Sequence, residues 1–155
     1  MAIRQIFQEG SDVLHKHCRE VTVFDKKLGD LIDDMFETMI KADGVGLAAP
    51  QVGFLRRLAV VECDDMNGEH VKLEMVNPVI IHSKGEQIDE EGCLSVDSTK
   101  NCEVLRPFTV TVKAQDRFGK EYEKTVSGLP ARAICHELDH LEGILFYTKA
   151  YKGTR

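Results

Sequence analysis

The sequence has no excess of basic charge, no long apolar run, no even set of cysteines and no internal repeat. Each absence argues against a class of function. Lys and Arg number 20 against 26 Asp and Glu, a formal charge of −6. A bulk nucleic-acid binder needs a basic surface to neutralise phosphates, so DNA is not an expected partner, although a local basic patch remains open. The start, MAIRQIFQEG, lacks the apolar core of a signal peptide or a spanning helix, and no membrane partner is expected. Five cysteines, Cys18, Cys63, Cys93, Cys102 and Cys135, are odd in number and irregular in spacing. That argues against a secreted disulfide framework and for a reducing cytoplasm, where a thiol is free to act as a ligand. No low-complexity tract or long linker divides the chain, so residues 1–155 are expected to form a single catalytic domain.

What is present is an ordinary soluble balance, 43% hydrophobic and 30% charged. From Leu28 to Lys41, the residues Leu31, Ile32, Met35, Phe36, Met39 and Ile40 recur at helical spacing. Asp25 is placed to cap that helix and Gly44 to stop it. LRRLAVVE and VKLEMVNP read as paired strands, with an Asn-Gly turn signal in CDDMNGEH between them. FTVTVKAQ and EYEKTVS, joined by DRFGK, read as a second hairpin. After Gly128 the period turns helical: Leu129, Ala133, Leu138 and Leu141 fit one inward stripe, with Pro130 near the start and Gly143 at the end. Segregated strands and helices predict an α+β fold. Its antiparallel strands would surround a late metal-binding helix carrying HExxH, with another helix near the N-terminus.

The late helix reads HELDHLEG, residues 136–143. His136 and His140, four apart, share a helix face and can grip one metal ion. Glu137 lies roughly 100° further round, where a carboxylate can take a proton from water held at an open metal position. Asp139 either supports a ligand by a hydrogen bond or is a solvated helix charge. A catalytic site needs a third protein ligand. EGCLS offers Cys93, preceded by a glycine that permits close backbone approach. Cys135 is the rival, but it points roughly 100° away from its neighbour His136. In GVGLAAPQVG, small residues bring backbone close to something and Gln51 presents an amide. With no Gly-Lys-Ser/Thr after it, this is not a phosphate loop, and a plain turn is the competing reading.

GVGLAAPQ, EGCLS and HELDHLEG, in this order, resemble the three signature motifs of the peptide deformylases. The resemblance spans most of the chain, from about Ile40 to Gly143. It implies metal ligation by Cys93, His136 and His140 with water at the fourth position, and Glu137 as general base. It implies hydrolysis of the formyl group from the formyl-methionine of new polypeptides, releasing formate. Gln51 and the Leu94 N–H would stabilise the oxyanion. Gly46, with Val45 and Gly92, would pair with the peptide backbone, and Val45 and Leu129 would wall the methionine pocket. The implied metal is Fe2+, and a Cys-His-His set would also accept Zn2+, Ni2+ or Co2+. The partners implied are N-formyl-methionyl peptides, nascent chains and a transient ribosome contact.

The sequence departs from the family pattern in three places. Asp97 and Ser98 follow EGCLSV where prolines are common, and Cys135 precedes His136 where glutamine is common. The tail YTKAYKGTR is too short for a ribosome-docking helix, which leaves Lys149, Lys152 and Arg155 as basic groups able to meet RNA or simply to be solvated. Two other readings compete. A structural metal domain would need Cys102 or Cys135 as a fourth ligand. A metallopeptidase would take a third histidine or a carboxylate in place of Cys93.

Overall fold

The computed structural model describes residues 2–153. Helix α1 spans Lys26–Lys41 and is capped by the Asp25 carboxylate, which accepts from the Leu28 N–H at 3.0 Å. Leu28, Leu31, Ile32, Met35, Phe36 and Met39 are buried as expected, but Ile40 lies on the solvent side of the helix. Beyond the cap, the Gly44 N–H turns back to the Met39 carbonyl at 2.9 Å, which ends the helix.

Strands β1 (Gly46–Ala48), β2 (Leu58–Asp64) and β3 (His70–Lys84) follow α1. Next come a small hairpin, β4 (Gln87–Glu91) and β5 (Cys102–Arg106), and then β6 (Thr109–Gln115), β7 (Glu121–Ser127) and helix α2 (Leu129–Leu141). The five-stranded sheet has the order β1-β2-β3-β6-β7, all antiparallel, and β4-β5 form a separate two-stranded sheet. Both faces of β2 are covered, which is why it reads as an unbroken apolar run. Ala59 and Val61 pack in the core that holds the α2 residues Ile134 and Leu141, while Leu58 and Val60 pack in the core that holds α1. In β6, by contrast, Val110, Val112 and Ala114 are buried and the alternate residues are half-buried.

Strand β3 runs past Pro78, where the sequence suggested an end. Asn77 takes φ +53°, and the pairing with β6 shifts register between Val76 and Val79, so the bulge absorbs a residue with no N–H to donate. Strands β1, β4 and β5 are not evident from sequence pattern, since GLA is three residues long and QIDEE is mostly charged. Leu129 is not part of the inward stripe of α2. It is 48% exposed at the first turn, Leu138 is half-buried, and Ala133 and Leu141 are in the core. Among the described residues, no helix is long and apolar enough to cross a membrane.

Candidate active site

Helix α2 carries His136, Glu137 and His140 in its last two turns, with the two imidazole centroids 5.0 Å apart. Cys93 stands two residues beyond β4 and meets them from the other sheet. One ligand atom from each of Cys93, His136 and His140 lies within 4.8 Å of the others, and Cys93 Sγ is 3.3 Å from His140 Nε2. Among the described residues, no fourth Cys, His, Asp or Glu joins this group, so neither Cys102 nor Cys135 closes it.

The surrounding groups suit a divalent cation. His136 Nδ1 is 2.9 Å from Glu91 Oε1, which leaves its other nitrogen for a metal and fixes the ring. Burial holds the His140 imidazole well down, to about 3, helped by the charge on His136, so it is the neutral form that binds metals. Burial would also lower His136, but Glu137, the Cys93 thiol and Glu91 outweigh it and raise the ring to about 10. The negative groups around this ring therefore favour a positive charge, which a metal ion supplies as well as a proton does. The buried His140 Nδ1 has no hydrogen-bond partner among the described residues.

Glu137 is buried, and its Oε1 has no hydrogen-bond partner among the described residues. Burial pushes its carboxyl up to about 7, against the pull of His136. A group poised there can both take and return a proton near neutral pH. Room for it comes from Gly46, where an added Cβ would lie 2.5 Å from Glu137 Oε2. Gln51 follows β1 in a 3-10 turn, Ala49–Val52. Its Oε1 accepts from the Ala48 N–H at 2.9 Å and its Nε2 donates to Ser95 Oγ at 3.1 Å, with Cys93 Sγ 3.6 Å away. Gly44 admits the Leu94 side chain, which a Cβ would meet at 2.7 Å.

Every predicted site residue except His140 lines one cavity of about 380 Å³, namely Val45, Gly46, Gln51, Gly92, Cys93, Leu94, Leu129, His136 and Glu137. His140 sits behind them in the core. Strand β1 is the outer strand of its sheet, so one of its edges is unpaired. The Val45 carbonyl accepts from the Glu62 N–H at 2.9 Å, so the Val45 main chain faces β2 and its side chain is what it offers the cavity. By alternation, the Gly46 main chain faces outward.

The sequence did not reveal the network behind the histidines. Glu91 accepts two bonds from Arg106, at 2.8 and 2.9 Å, and one from Arg132 at 2.5 Å, besides meeting His136. Burial would raise this carboxyl, but the Arg106 and His136 hydrogen bonds prevail and hold it down at about 2. Asp139 is not solvated. It accepts from Arg106 at 2.8 Å and pairs with Lys149 at 3.1 Å. Arg106 and Arg132 come from β5 and α2, and no spacing in the sequence links them to Glu91.

The polypeptide deformylase family model matches residues 3–155. A peptide deformylase of Caldicellulosiruptor bescii is 49% identical over 152 residues, covering 98% of this chain and 88% of the relative. Peptide deformylase 1 of Bacillus subtilis is 46% identical, covering 98% and 92%. The crystal structure of peptide deformylase from Thermotoga maritima superposes with a TM-score of 0.88 at 38% identity, covering 97% of this chain and 99% of that one. Motif order, ligand geometry and these likenesses agree over nearly the whole length, and the chain belongs to the polypeptide deformylase family.

Proposed function

We propose that residues 1–155 act as one catalytic domain that hydrolyses the formyl group from the formyl-methionine of newly made polypeptides. The observation that carries this is the convergence of Cys93, His136 and His140 beside a buried Glu137 at the wall of one cavity. Cys93, His136 and His140 would hold one divalent metal, Fe2+ in the cell, with Zn2+, Ni2+ or Co2+ able to replace it. When bound, the ion supplies Lewis acidity, which makes water a better nucleophile and polarises the formyl carbonyl.

The chain's own groups do the rest. The peptide enters as a short extra strand on the open edge of β1, paired to the outward main chain of Gly46, with Gly92 opposite. Val45 and Leu129 hold the methionine side chain. Glu137 takes a proton from the water that adds to the formyl carbon, then gives it to the amine nitrogen as the C–N bond breaks. Formate and a free N-terminus leave. The Gln51 amide and the Leu94 N–H donate to the oxygen that gains charge during addition. The same reading puts the enzyme in the cytoplasm, with nascent chains as partners, transient ribosome contact and neither DNA nor membrane. Of the tail cations, Lys149 is engaged by Asp139, and Arg155 lies outside the described residues.

The test is formate release from formyl-Met-Ala-Ser by anaerobically prepared, iron-loaded protein. Turnover that disappears in Cys93→Ala together with bound metal supports the reading. Metal-loaded protein that releases no formate overturns it.

A further inference from the structure

The Gln51 amide must present an N–H to the reacting oxygen, and a primary amide can do so in two flipped states with two hydrogens each. The structure fixes this choice through its neighbours. The Ala48 N–H, donating to Oε1 at 2.9 Å, identifies the oxygen end. At the nitrogen end, one contact runs to Ser95 Oγ at 3.1 Å and the other points toward Cys93 Sγ at 3.6 Å, on the cavity side. Ser95 is fully buried, so its hydroxyl meets the amide out of contact with bulk solvent.

A second observation ties the same pair together from outside. The extended N-terminal segment donates from the Phe7 N–H to the Gln51 carbonyl and from the Glu9 N–H to the Ser95 carbonyl, each at 2.7 Å. Between them, Gln8 Nε2 donates to the Leu94 carbonyl at 3.1 Å. The Glu9 carboxylate is held by Lys100, at 2.9 Å, and by the Tyr147 hydroxyl. One strap therefore sets the distance between Gln51 and Ser95 through their main chains, while the side chains meet directly.

We infer that Ser95 is a positioning residue for the deformylation reaction: its buried hydroxyl occupies one hydrogen of the Gln51 amide and so aims the other at the developing oxyanion. This rests on the oxyanion role proposed for Gln51. Ser95 touches no substrate and acts through Gln51 alone. Losing one oriented hydrogen bond should then cost about tenfold in kcat with KM nearly constant.

The experiment is a double-mutant cycle on nickel-loaded enzyme with formyl-Met-Ala-Ser, with metal content and Tm measured on each variant. Ser95→Ala should lower kcat about tenfold in the wild-type background and less than about twofold in the Gln51→Ala background. Ser95→Thr, which keeps a hydroxyl, should restore most of the rate. Ser95→Cys keeps the size with a poor acceptor, and it replaces Ser95→Ala if that variant does not fold. Equal losses in both backgrounds, or a rate that falls only in step with nickel content, would overturn the inference. If Gln51→Ala alone leaves kcat unchanged, the oxyanion role itself is wrong. If Gln51→Ala is slow but Ser95→Ala is normal, only the positioning role fails.

Discussion

Glu137 sits in an environment unlike that of an ordinary carboxylate. It is buried, its Oε1 has no hydrogen-bond partner among the described residues, and burial pushes it up to about 7, a combination that costs stability and is typical of functional sites. Glu137→Gln keeps size and reach but cannot accept a proton. It should fold normally, bind metal nearly as well and lose kcat on the order of 10²-fold or more. Metal stoichiometry and steady-state kinetics on the same preparation check this, and a wild-type kcat would remove the proton carrier from the mechanism. At this scale the sequence was informative where chemistry depends on type and spacing. The i, i+4 histidines and the glutamate between them need only a helix to share one face, with Cys93 supplied from another element. Glu91, Arg106 and Arg132 were hidden because a buried charge network depends on three elements meeting in space. Val45 was legible as a cavity residue, but the direction of its main chain depends on the β1–β2 register.

Elements matter here through their ends. Strand β1 packs against Glu137 at Gly46, where an added Cβ would lie 2.5 Å from Glu137 Oε2. Gly46→Ala should displace the carboxylate and obstruct the open edge together, lowering kcat/KM by at least about 10²-fold while Tm changes little. A crystal structure of the variant would show Glu137 rotated away, and an unmoved Glu137 with full activity would contradict the argument. The β2–β3 hairpin has its own clasp. His70 Nδ1 meets Asp64 at 2.8 Å and Nε2 meets Glu62 at 2.7 Å. Asp64, and then Glu62, raise the imidazole above its ordinary 6.5. A raised histidine stabilises the fold fully below its unfolded value, and the contribution fades as pH rises through the folded value. The Tm gap between wild type and His70→Gln should therefore be largest below about pH 6.5 and close at higher pH. An NMR titration of the His70 ring should show the raised value directly. The long helices and the two larger hairpins were readable from periodicity and turn residues. The β4–β5 hairpin was not, because its strands are charged and lie mostly at the surface, so they carry no alternating apolar signal.

At the scale of the whole molecule, the two sheets meet across α2, where Glu91 of β4 pairs with Arg132 and His136 and Arg106 of β5 pairs with Asp139. Cys93 belongs to the loop beyond β4, and the histidines belong to the helix packed on the large sheet. A metal held by all three links the two parts, so its binding free energy adds to folding. At a free metal concentration about 100 times Kd, the linkage is worth about 2.7 kcal/mol. For a chain of this length, that corresponds to a Tm lower by roughly 5–10 °C after chelation. Calorimetry with and without chelator measures it. Hydrogen exchange should show the amides of 87–106 losing protection before those of β2 and β3. An unchanged Tm would mean that the ion bridges nothing. The α+β class was legible from the order of strands and helices, but the division into two sheets was not, since nothing in the sequence marks where one sheet stops recruiting strands.

If the peptide docks as proposed, the open edge of β1 also sets how much of a polypeptide is read. The Ala48 N–H is already committed to Gln51 and the Gly44 N–H to Met39, which leaves Gly46 as the outward residue with both main-chain groups to offer. On the proposed binding mode, a guest chain therefore meets a single residue of this edge, with Gly92 opposite. So short a pairing reads little of the guest's main chain beyond its first residues. On that mode, breadth toward newly made polypeptides would follow from how little of each chain the edge holds.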